Sequence, residues 1–579
     1  MLKKYKWKIL ECPDEFSKQV LVDDLKLPPA IAKILVLREI DSYRKVKQFF
    51  EPSLQDLHDP FLMKGMRDAV KRIIKALTNN EKIMIYGDYD VDGTNASAML
   101  YLFLKDLDGN VEIYIPNRMT EGYGISLTGL NEARNKKVSL VVAVDCGITA
   151  VEESKYANEN EIDLIICDHH EPGEKIPEAV AVLDPLLPNS PYPYKYLSGT
   201  GVTFKLIQAI AASVGLKDLP FKFLDFVAVA SAADIVPLTG ENRILVKFGL
   251  EKLNSDPHPG FKALIEKAGL KIGKITTSNI VFGLAPRINA VGRLGDAIRA
   301  VKLLISKDYE EALTFAEILD YENRNRRAID EEMFADAINE IESKNLLESN
   351  SALILHKNAW HIGVIGIVAS RLVEKYYRPT ILLTAVDGVL KGSARSIPDF
   401  NIYEALKKCS DLLLQFGGHK AAAGLSIQQE KLPVFIEQFN KILTETIPPD
   451  KLLPTLEIEA VVELNSITPK FRDLLEKFAP YGPQNMKPNF LTREVEIIDK
   501  LAVYQDKHLA LKVRKNGSPV FDVIGFNLGE YINSLIDFNN NMNGKYIDIV
   551  YTIDSHTYNG FVFPQLRLKD LRLSKNKME

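Results

Sequence analysis

The fold is decided by a short apolar run and the acidic turn directly after it: Lys82-Ile83-Met84-Ile85-Tyr86-Gly87-Asp88-Tyr89-Asp90-Val91-Asp92-Gly93. Three further apolar runs end just before polar groups, and those groups are Asp145, Asp168-His169-His170 and Asp234. Three of the four runs are short and β-rich, which predicts buried parallel strands, whereas the run before Asp234 predicts a helix. Ligands bind outside the carboxyl ends of the strands in an open α/β sheet, so we expect these side chains to meet in one crevice.

The predicted crevice would hold at least five carboxylates and two imidazoles. Carboxylates packed this closely cannot all stay ionised unless cations neutralise them. An oxygen-rich ligand set that includes histidine suits Mn²⁺ or Mg²⁺. A carboxylate-rich site of this kind usually holds two ions and hydrolyses phosphate esters, so the sequence predicts a two-metal phosphoesterase.

Composition places the chain among ordinary globular proteins. A length of 579 residues is too long for one core and predicts three to five domains. The net charge of −5 means that any binding to a polyanion must come from local basic surfaces or from bound metals. Four scattered cysteines without a CxxC pair indicate a reducing compartment. With no signal-peptide pattern and no apolar run of membrane-spanning length, we predict a cytoplasmic protein.

The chain divides into five predicted parts: a polar, helical lead-in at 1–50, an α/β domain at 51–305, a connecting helix at 306–346, a second α/β domain at 347–446 and a β-barrel of the OB type at 450–579. Helices alternating with short strands predict a parallel sheet in the first α/β domain. The connecting segment is densely charged and lacks Pro and Gly through 308–344, which favours one long helix. Short β-rich runs separated by turn residues predict the barrel.

The acidic turn alone leaves alternatives open. Asp88-x-Asp90-x-Asp92-Gly93 matches the start of an EF-hand loop, but position 12 of that loop is Met99 and the preceding run is strand-like. An aspartate-rich turn without any metal stays open on this motif by itself. The histidine pair His169-His170 favours a metal, because it follows Asp168 at a strand end beside two other acidic strand ends. Adjacent residues of an extended chain point to opposite sides. One imidazole could then bind metal while the other faces substrate.

These segments resemble, in order, the four motifs of the DHH phosphoesterase superfamily. The resemblance is strongest to its branch of single-strand-specific 5′→3′ DNA exonucleases and extends over further segments at residues 115–118, 120–124, 286–294, 360–366, 392–396 and 416–419. The last three segments are similar to the DHHA1 domain that accompanies the DHH domain. The resemblance therefore implies a DHH parallel-sheet domain, joined by a long helix to an α/β DHHA1 domain, with a nucleic-acid-binding OB barrel after it.

The resemblance also implies the site residues. The implied metal ligands are Asp88, Asp90, Asp92, Asp145, His169 and Asp234. Asp145 is implied to bridge two ions, and His170 to act as a catalytic group that faces the scissile phosphate. Asp168 is expected to orient an imidazole. Other branches carry a histidine four residues before Asp90; this chain has Tyr86 there, which is not expected to bind metal.

Phosphate groups of the substrate call for planar, bidentate cations and for uncrowded backbone amides. The expected substrate-binding residues are Arg118, Arg287, Asn289, Arg293, Ser370, Arg371, Arg395, Gly417, Gly418 and His419. A solvated helix arginine is the alternative for Arg371, and a plain tight turn for Gly417-Gly418. In the barrel, a basic strand with Lys512, Arg514 and Lys515 could form a DNA groove in which Tyr504 and Phe521 stack bases, or a solvated sheet edge.

The predicted function is metal-dependent 5′→3′ hydrolysis of single-stranded DNA to mononucleotides in repair and recombination, with two Mn²⁺ or Mg²⁺ ions as cofactors. The implied partners are single-stranded DNA, a single-strand-binding protein and a RecQ-type helicase, and the expected state is a monomer. Two alternatives stay open: a DHH hydrolase of cyclic dinucleotides or very short RNAs, and a non-catalytic DNA-binding scaffold.

Overall fold

The computed structural model describes residues 5–574 apart from 119, 295, 499–500, 533–534, 536–545 and 559–560. The chain splits into two compact units. The first unit comprises Glu51–Arg327 and Ala479–Met486, and the second comprises Met1–Phe50, Ala328–Phe478 and Lys487–Glu579. Among the described helices, none combines the length and apolarity needed to cross a membrane.

The amino-terminal part of the second unit has one strand and three helices: β1 (Lys6–Ile9), α1 (Glu15–Leu25), α2 (Pro29–Leu37) and α3 (Tyr43–Phe50). Helix α2 begins at Pro29, where a missing N–H costs nothing, and buries Ile31, Ile34 and Leu35. Strand β1 pairs in parallel with residues Thr455–Ile458 of the same unit. This long-range pairing was not predicted for the lead-in.

The first unit is built on a parallel sheet of five strands: β2 (Ile83–Gly87), β3 (Val111–Tyr114), β4 (Leu140–Val144), β5 (Asp163–Cys167) and β6 (Ala181–Leu183). Their order in the sheet is β3-β2-β4-β5-β6, so the direction of winding reverses between β2 and β4. The predicted buried parallel strands and the α/β fold are confirmed. Such a reversal leaves a crevice at the carboxyl ends of the two strands, which is where ligands bind in doubly wound sheets.

The helices of this unit are α4 (Met66–Thr78), α5 (Val91–Asp106), α6 (Leu127–Asn135), α7 (Val151–Glu159), α8 (Gly199–Ser213), α9 (Leu224–Ala233), α10 (Gly240–Ser255), α11 (Pro259–Lys267), α12 (Thr277–Asn279), α13 (Ala285–Leu294) and α14 (Ile298–Ile305). Shorter turns lie at Leu54–Asp56, Pro60–Leu62 and Leu219–Phe223, with a π-helical turn at Ile280–Leu284. Alternate strand residues face two separate apolar cores, as with Ile85 and Tyr86. The strands are thus buried on both faces, as parallel strands usually are.

One long helix, α15 (Tyr309–Ser343), follows and matches the predicted connecting helix. The division between the two units falls inside it, after Arg327. The exact domain limits at residues 50, 305, 346 and 446 stay a prediction.

The second unit continues with α16 (Leu346–Ser349), β7 (Leu353–His356), α17 (Ile365–Tyr376), β8 (Thr380–Val386), β9 (Val389–Arg395), α18 (Ile402–Lys407), β10 (Leu413–Gly418), β11 (Ala422–Ile427) and α19 (Leu432–Thr446), with short 3₁₀ turns at Ser410–Leu412 and Gln429–Lys431. Its sheet order is β10-β11-β9-β8-β7, antiparallel except for the β7–β8 pair. Strands β10 and β11 were not predicted from the sequence.

The carboxyl-terminal part holds β12 (Thr455–Ile458), β13 (Ala460–Val461), α20 (Pro469–Glu476), β14 (Phe490–Ile497), β15 (Ala502–Tyr504), β16 (His508–Arg514), β17 (Phe521–Gly525), β18 (Tyr546–Tyr558) and β19 (Phe561–Leu573), with 3₁₀ turns at Pro449–Leu452 and Leu464–Ser466. Seven strands pair in the order β13-β14-β18-β19-β17-β16-β15, and β14 also pairs with β16. Strand β14 thus pairs with both β18 and β16 and joins five strands, which agrees with the partly open five-stranded barrel of an OB-type domain although the described strands do not close the barrel.

A short piece of the carboxyl-terminal half, Ala479–Met486, belongs to the first unit. The Leu238 amide donates to the Pro483 carbonyl at 2.9 Å, and the Thr277 hydroxyl donates to the Tyr481 carbonyl at 2.7 Å. The segment between Asp234 and α10 is therefore held by residues from far along the chain.

Candidate metal centre

The acidic turn after β2 starts the site. Asp88 is buried directly after the strand, and Asp90 is the N-cap of α5, where its Oδ1 accepts the amides of Asp92 and Gly93 at 2.8 and 3.1 Å. Aspartate is a preferred N-cap because its oxygen satisfies amides that the first helical turn leaves open. A Cβ on Gly93 would lie 2.6 Å from the Asp88 backbone nitrogen, so only glycine fits this close approach.

Asp92 points from α5 to the start of α8. Its two carboxylate oxygens accept the amides of Gly199 and Thr200 at 2.7 and 2.8 Å, and its side chain is 1% exposed. The positive end of the α8 dipole favours a carboxylate at this position. The two helix starts are consequently fixed to one another through a group that the sequence predicts to bind metal.

Asp145 stands at the end of β4 with φ of 61°, in the left-handed region. The buried Oδ1 atom of Asp145 has no hydrogen-bond partner and lies 3.2 Å from His169 Nε2. A Cβ on Gly199 would lie 2.3 Å from that same oxygen, so the α8 backbone packs directly against the carboxylate.

His169 presents an unshared nitrogen to three carboxylates. Its Nε2 lies 3.2 Å from Asp145, 3.6 Å from Asp234 and 3.8 Å from Asp92, and it has no hydrogen-bond partner. The second nitrogen of the imidazole hydrogen-bonds to the Leu197 backbone, so that nitrogen carries the proton and Nε2 keeps its lone pair. Burial lowers the pKa of His169, which favours the neutral ring that a metal requires.

Asp168 holds His170. Its Oδ1 lies 2.7 Å from His170 Nδ1, and its two oxygens also accept the amides of Ile148, His169 and His170. Burial alone would raise the pKa of Asp168, but these hydrogen bonds and the His170 charge outweigh it and lower the pKa. Burial opposes a charge on His170, yet Asp168 raises the pKa of that imidazole to about 9.

The expectation that the two imidazoles point to opposite sides is wrong. Their ring centroids are 4.4 Å apart, and both reach Asp145. The physical reason is that the chain bends at His170, because the Asp168 carboxylate draws both the backbone and the ring toward itself.

The candidate ligand atoms form three overlapping groups, each spanning no more than 4.8 Å: Asp88, Asp90 and Asp145; Asp92, His169 and Asp234; and Asp145, His169 and His170. Asp145 and His169 are common to two groups each, which suits a pair of neighbouring ions. Three buried atoms in these groups lack a hydrogen-bond partner, namely Asp88 Oδ1, Asp145 Oδ1 and His169 Nε2. Unpartnered buried acceptors of this kind fit a divalent cation.

The electrostatics agree with the geometry. Burial, followed by repulsion between the carboxylates, raises the pKa values of Asp88, Asp90, Asp145 and Asp234. Cations of charge +2 would reverse that effect and keep all four groups ionised. The donor set therefore suits a dinuclear site for hard divalent metals.

The predicted substrate residues of the first unit differ in their surroundings. The Arg118 guanidinium lies 5.1 Å from the centre of the Tyr89 ring, and Arg293 is close enough for its charge to oppose the rise of the Tyr89 pKa to about 12 that burial causes. Asn289 accepts the Val91 amide at 3.2 Å. Arg287 is bound to the Asp320 carboxylate and the Gly283 carbonyl, at 2.9 and 2.6 Å. A phosphate contact by Arg287 would have to compete with these internal bonds.

The remaining predicted substrate residues lie in the second unit. Ser370 donates to the Gly366 carbonyl, and Arg395 donates to Ser393 Oγ at 2.9 Å. Arg371 is not merely solvated, because it pairs with Asp330 at 3.0 Å and covers the Phe334 ring at 3.9 Å.

Gly417 and Gly418, for which a phosphate nest and a tight turn were the alternatives, lie in a strand, and contact between this pair and a phosphate stays a prediction. Gly417 and Gly418 end β10, and the amide of His419, just beyond them, donates to the Ala422 carbonyl at 2.8 Å. A Cβ on Gly417 would meet no atom within 4 Å, whereas a Cβ on Gly418 would lie 2.4 Å from the Ala422 carbonyl oxygen, so the open space at this strand end lies beside Gly417.

Sequence reasoning missed two parts of the site and gave one residue of the barrel, Phe521, a role that its burial excludes. Tyr123 places its hydroxyl 3.3 Å from the His170 ring nitrogens, and its position inside the 120–124 segment was the available signal. The amides of Gly199 and Thr200, which hold Asp92, gave no signal because backbone donors carry none. Phe521 is 3% exposed, so the expectation that it stacks a base is wrong; Tyr504 is 61% exposed.

The basic strand is partly neutralised inside the protein. Arg514 pairs with Glu496 at 3.1 Å, and Lys515 pairs with Glu463 at 2.9 Å. These pairs reduce the positive charge that the strand offers to a polyanion, and they favour the sheet-edge alternative for Arg514 and Lys515 over a DNA groove.

A parallel sheet with aspartates and a histidine pair at its switch point defines a DHH phosphoesterase. A model of the DHH family N-terminal domain matches residues 82–231, one of the DHHA1 domain matches 349–445, and one of the RecJ OB domain matches 458–570. The predicted order of a DHH domain, a DHHA1 domain and an OB domain is confirmed.

Comparison with individual proteins identifies the family within this class. The chain is 38% identical to the single-stranded-DNA-specific exonuclease RecJ of Bacillus subtilis over 99% of this chain and 71% of that protein, and 32% identical to RecJ of Dickeya dadantii over 95% and 97%. The crystal structure of RecJ from Thermus thermophilus in complex with Mn²⁺ superposes with a TM-score of 0.82 at 28% identity, covering 99% of this chain and 80% of that one. The chain belongs to the RecJ family.

Proposed function

We propose that this protein is a metal-dependent exonuclease that degrades single-stranded DNA from the 5′ end to mononucleotides, in repair and recombination. The observation that carries the proposal is the dinuclear donor set at the switch point, with three buried ligand atoms left unpartnered. RecJ relatives named as single-stranded-DNA-specific exonucleases support the substrate. The complexes of Thermus thermophilus RecJ with Mn²⁺ and with Mg²⁺ support the choice of cofactor.

We assign one ion to Asp88, Asp90 and Asp145 and the other to Asp92, His169 and Asp234, with Asp145 shared. When bound, the two ions supply an activated water and stabilise the charge that develops on the phosphate. The Leu197 hydrogen bond keeps the His169 lone pair directed at the centre, as a hydrogen bond to the second nitrogen of a metal-binding histidine usually does.

His170 is the proposed catalytic group that faces the phosphate. Asp168 keeps a proton on the His170 ring, and the Tyr123 hydroxyl lies 3.3 Å from it. A charged imidazole can donate a hydrogen bond to a phosphate oxygen or release its proton to a leaving oxygen. Asp168 then serves to position His170 and to preserve its charge.

Substrate contacts are proposed for Arg118, Arg287, Asn289, Arg293, Ser370, Arg371, Arg395, Gly417, Gly418 and His419. The four arginines other than Arg287 offer guanidinium groups suited to phosphate oxygens. For Arg287 and Arg371, the ion pairs with Asp320 and Asp330 would have to open or be shared. The monomeric state, the cytoplasmic location, and the binding of a single-strand-binding protein and a RecQ-type helicase also stay predictions.

The decisive experiment incubates the purified protein with single-stranded DNA carrying either a 5′ or a 3′ label. We expect mononucleotides from the labelled 5′ terminus at the earliest times, activity with Mn²⁺ or Mg²⁺, and none with EDTA. Duplex DNA and a cyclic dinucleotide serve as comparison substrates. Preferential hydrolysis of the cyclic dinucleotide, or metal-independent binding without cleavage, would overturn the proposal.

A further inference from the structure

Ile235 adopts a backbone conformation that its side chain disfavours. Its φ is 62°, in the left-handed region, and it is the one β-branched residue with such a φ among the described residues that are not glycine. Branching at Cβ crowds the neighbouring carbonyl oxygen in this region, which glycine or asparagine occupies far more easily. The same chain uses glycine at comparable positions, for example Gly122 and Gly215.

The surroundings hold Ile235 in this conformation from both sides. Before it, the Asp234 amide donates to the Ala230 carbonyl at 2.9 Å and ends α9. After it, the Pro237 carbonyl accepts bonds from Tyr194 and Asn242 at 3.1 and 3.0 Å, and Leu238 is bound to Pro483. Unfavourable dihedrals persist only where neighbouring contacts impose them, and they cluster at functional sites.

The Ile235 side chain does not repay this strain by packing into the core. It is 65% exposed, whereas Val236 and Leu238 in the same turn are 8% and 1% exposed. A glycine at position 235 would satisfy the turn, and an exposed isoleucine gains little from burial. Neither the backbone nor the core therefore accounts for an isoleucine at this position.

Its location supplies a reason. Ile235 directly follows Asp234, whose Oδ2 lies 3.6 Å from His169 Nε2, and neighbouring Cα atoms are about 3.8 Å apart. An exposed aliphatic group thus stands within one nucleotide's reach of the candidate metal centre. The ligands around Ile235 are charged and suit a phosphate, whereas Ile235 itself offers apolar surface. The apolar part of a bound nucleotide is its base, so the base is the group that suits Ile235.

We propose that Ile235 packs against the base of the terminal nucleotide while its phosphodiester lies at the metal centre. This inference rests on the proposed exonuclease function. Every base has an apolar face, so the contact tolerates any sequence, as contacts to single strands usually do. Ile235 touches no reacting atom; it is a positioning residue that acts by fixing the nucleotide.

The test is a thermodynamic cycle in which the protein and the substrate are each changed, separately and together. Wild type, Ile235→Gly and Ile235→Leu are compared on two 5′-phosphorylated strands that differ only in carrying an ordinary or an abasic terminal nucleotide. We expect wild type to prefer the ordinary end by about tenfold in kcat/KM, Ile235→Leu to keep most of this preference, and Ile235→Gly to bring the ratio close to one.

Two further measurements accompany the cycle. Ile235→Gly should melt no lower than wild type, because relief of the strained backbone offsets the greater freedom of glycine in the unfolded chain. Lys137→Gly is the matched control: it removes an exposed side chain at φ of 58° elsewhere in the first unit and should leave the preference unchanged. The two strands are also compared by fluorescence anisotropy with Ca²⁺ in place of Mn²⁺, which reads the base contact without hydrolysis.

The outcomes separate the two proposals. An unchanged preference in Ile235→Gly overturns the base contact. So does an equal loss on both strands together with weaker Mn²⁺ binding, since Ile235 would then act only through Asp234. A further outcome is that wild type cleaves neither strand and yet binds the ordinary strand more tightly than the abasic one by anisotropy. If Ile235→Gly then binds the two strands equally, the base contact stands and the exonuclease proposal fails.

Discussion

At the scale of single residues, the candidate centre depends on atoms that the protein leaves without a partner. Asp88 Oδ1, Asp145 Oδ1 and His169 Nε2 are buried and unbonded, although the neighbouring Asp92 and Asp168 accept hydrogen bonds at both oxygens. Burying an acceptor without a partner costs free energy. The three unpartnered atoms are therefore free for an ion, whereas Asp92 both holds the start of α8 and would bind an ion through the lone pairs that its two backbone hydrogen bonds leave open.

Asp145→Asn is expected to lower the hydrolysis rate at least about a hundredfold, because both proposed ions would lose a shared negative ligand. The change keeps the side-chain shape, so the melting temperature should stay at or above that of wild type without metal. Asp256→Asn is the matched control, since its side chain is 96% exposed and lies outside the centre. Turnover close to wild type in Asp145→Asn would contradict the shared-ligand assignment.

The two histidines should fail in different ways. His169→Ala is expected to weaken Mn²⁺ binding measured by calorimetry, because it removes a ligand. His170→Ala should bind Mn²⁺ nearly as wild type does and lose roughly 10²–10⁴-fold in rate, the range for a proton-transferring group. If calorimetry instead places the main binding defect in His170→Ala, the assigned roles must be exchanged.

At the scale of elements, the start of α8 organises the centre. Its amides hold Asp92, and its first residue, Gly199, packs against Asp145. A helix that would otherwise serve only the core thereby sets the distance between two proposed ligands. The same helix buries twelve of its residues, so its position is fixed by apolar packing.

Gly199→Ala tests this arrangement. Its Cβ would lie 2.3 Å from Asp145 Oδ1, so the carboxylate must move. A displacement near 1 Å at a reacting centre costs about a hundredfold in rate. Gly173→Ala is the control, because a Cβ there meets nothing closer than 3.8 Å. Equal activity of the two variants would show that α8 does not constrain the centre.

The start of α11 gives a pH dependence of stability. Burial, with help from the Lys252 and Lys222 charges, lowers the pKa of the N-cap residue His258 to about 4. Between that pKa and the unfolded value of about 6.5, only the unfolded chain takes up the proton, so stability falls as the pH drops through this window. The neighbouring Asp225, whose pKa burial raises to about 6, has the opposite effect.

His258→Asn removes the titrating ring and keeps a helix-capping acceptor. Melting temperatures of wild type and variant are compared from pH 7 to pH 4. We expect the wild type to lose stability relative to the variant as the pH falls, with Asp225 common to both proteins. Parallel melting curves across this range would show that His258 is protonated in the folded state as well.

At the scale of the whole molecule, both compact units are assembled from discontinuous stretches of chain. Strand β1 pairs with β12 in the second unit, and Ala479–Met486 completes the first unit. Cutting the chain at the linker near Pro448 would remove the partner of β1 and the bonds to Leu238 and Thr277. A truncated protein would therefore confound DNA capture with stability, and point variants are the better test.

Tyr504→Ala combined with Lys512→Ala is expected to weaken capture of long single strands by roughly 1–3 kcal/mol for the lost stacking and to flatten the salt dependence of binding for the lost phosphate contact. KM should rise for long strands and stay nearly constant for very short oligonucleotides. Arg514→Ala, which removes a basic side chain that pairs with Glu496, is the comparison. Unchanged KM at every salt concentration would remove DNA capture from this strand.

The sequence by itself determined the parallel strands, their acidic ends and the DHH, DHHA1 and OB order. Strands such as β4 are local apolar runs, and the polar residues that end them are their neighbours in sequence. The apolar pattern and the position of the polar residues are therefore enough to predict both. The tertiary structure alone decided that β1 joins β12, that Gly417 lies in a strand and that Phe521 is buried, because each depends on a partner far along the chain. It also decided which site atoms stay unpartnered, since Asp92 is satisfied by backbone amides of α8 and backbone amides are alike in every sequence.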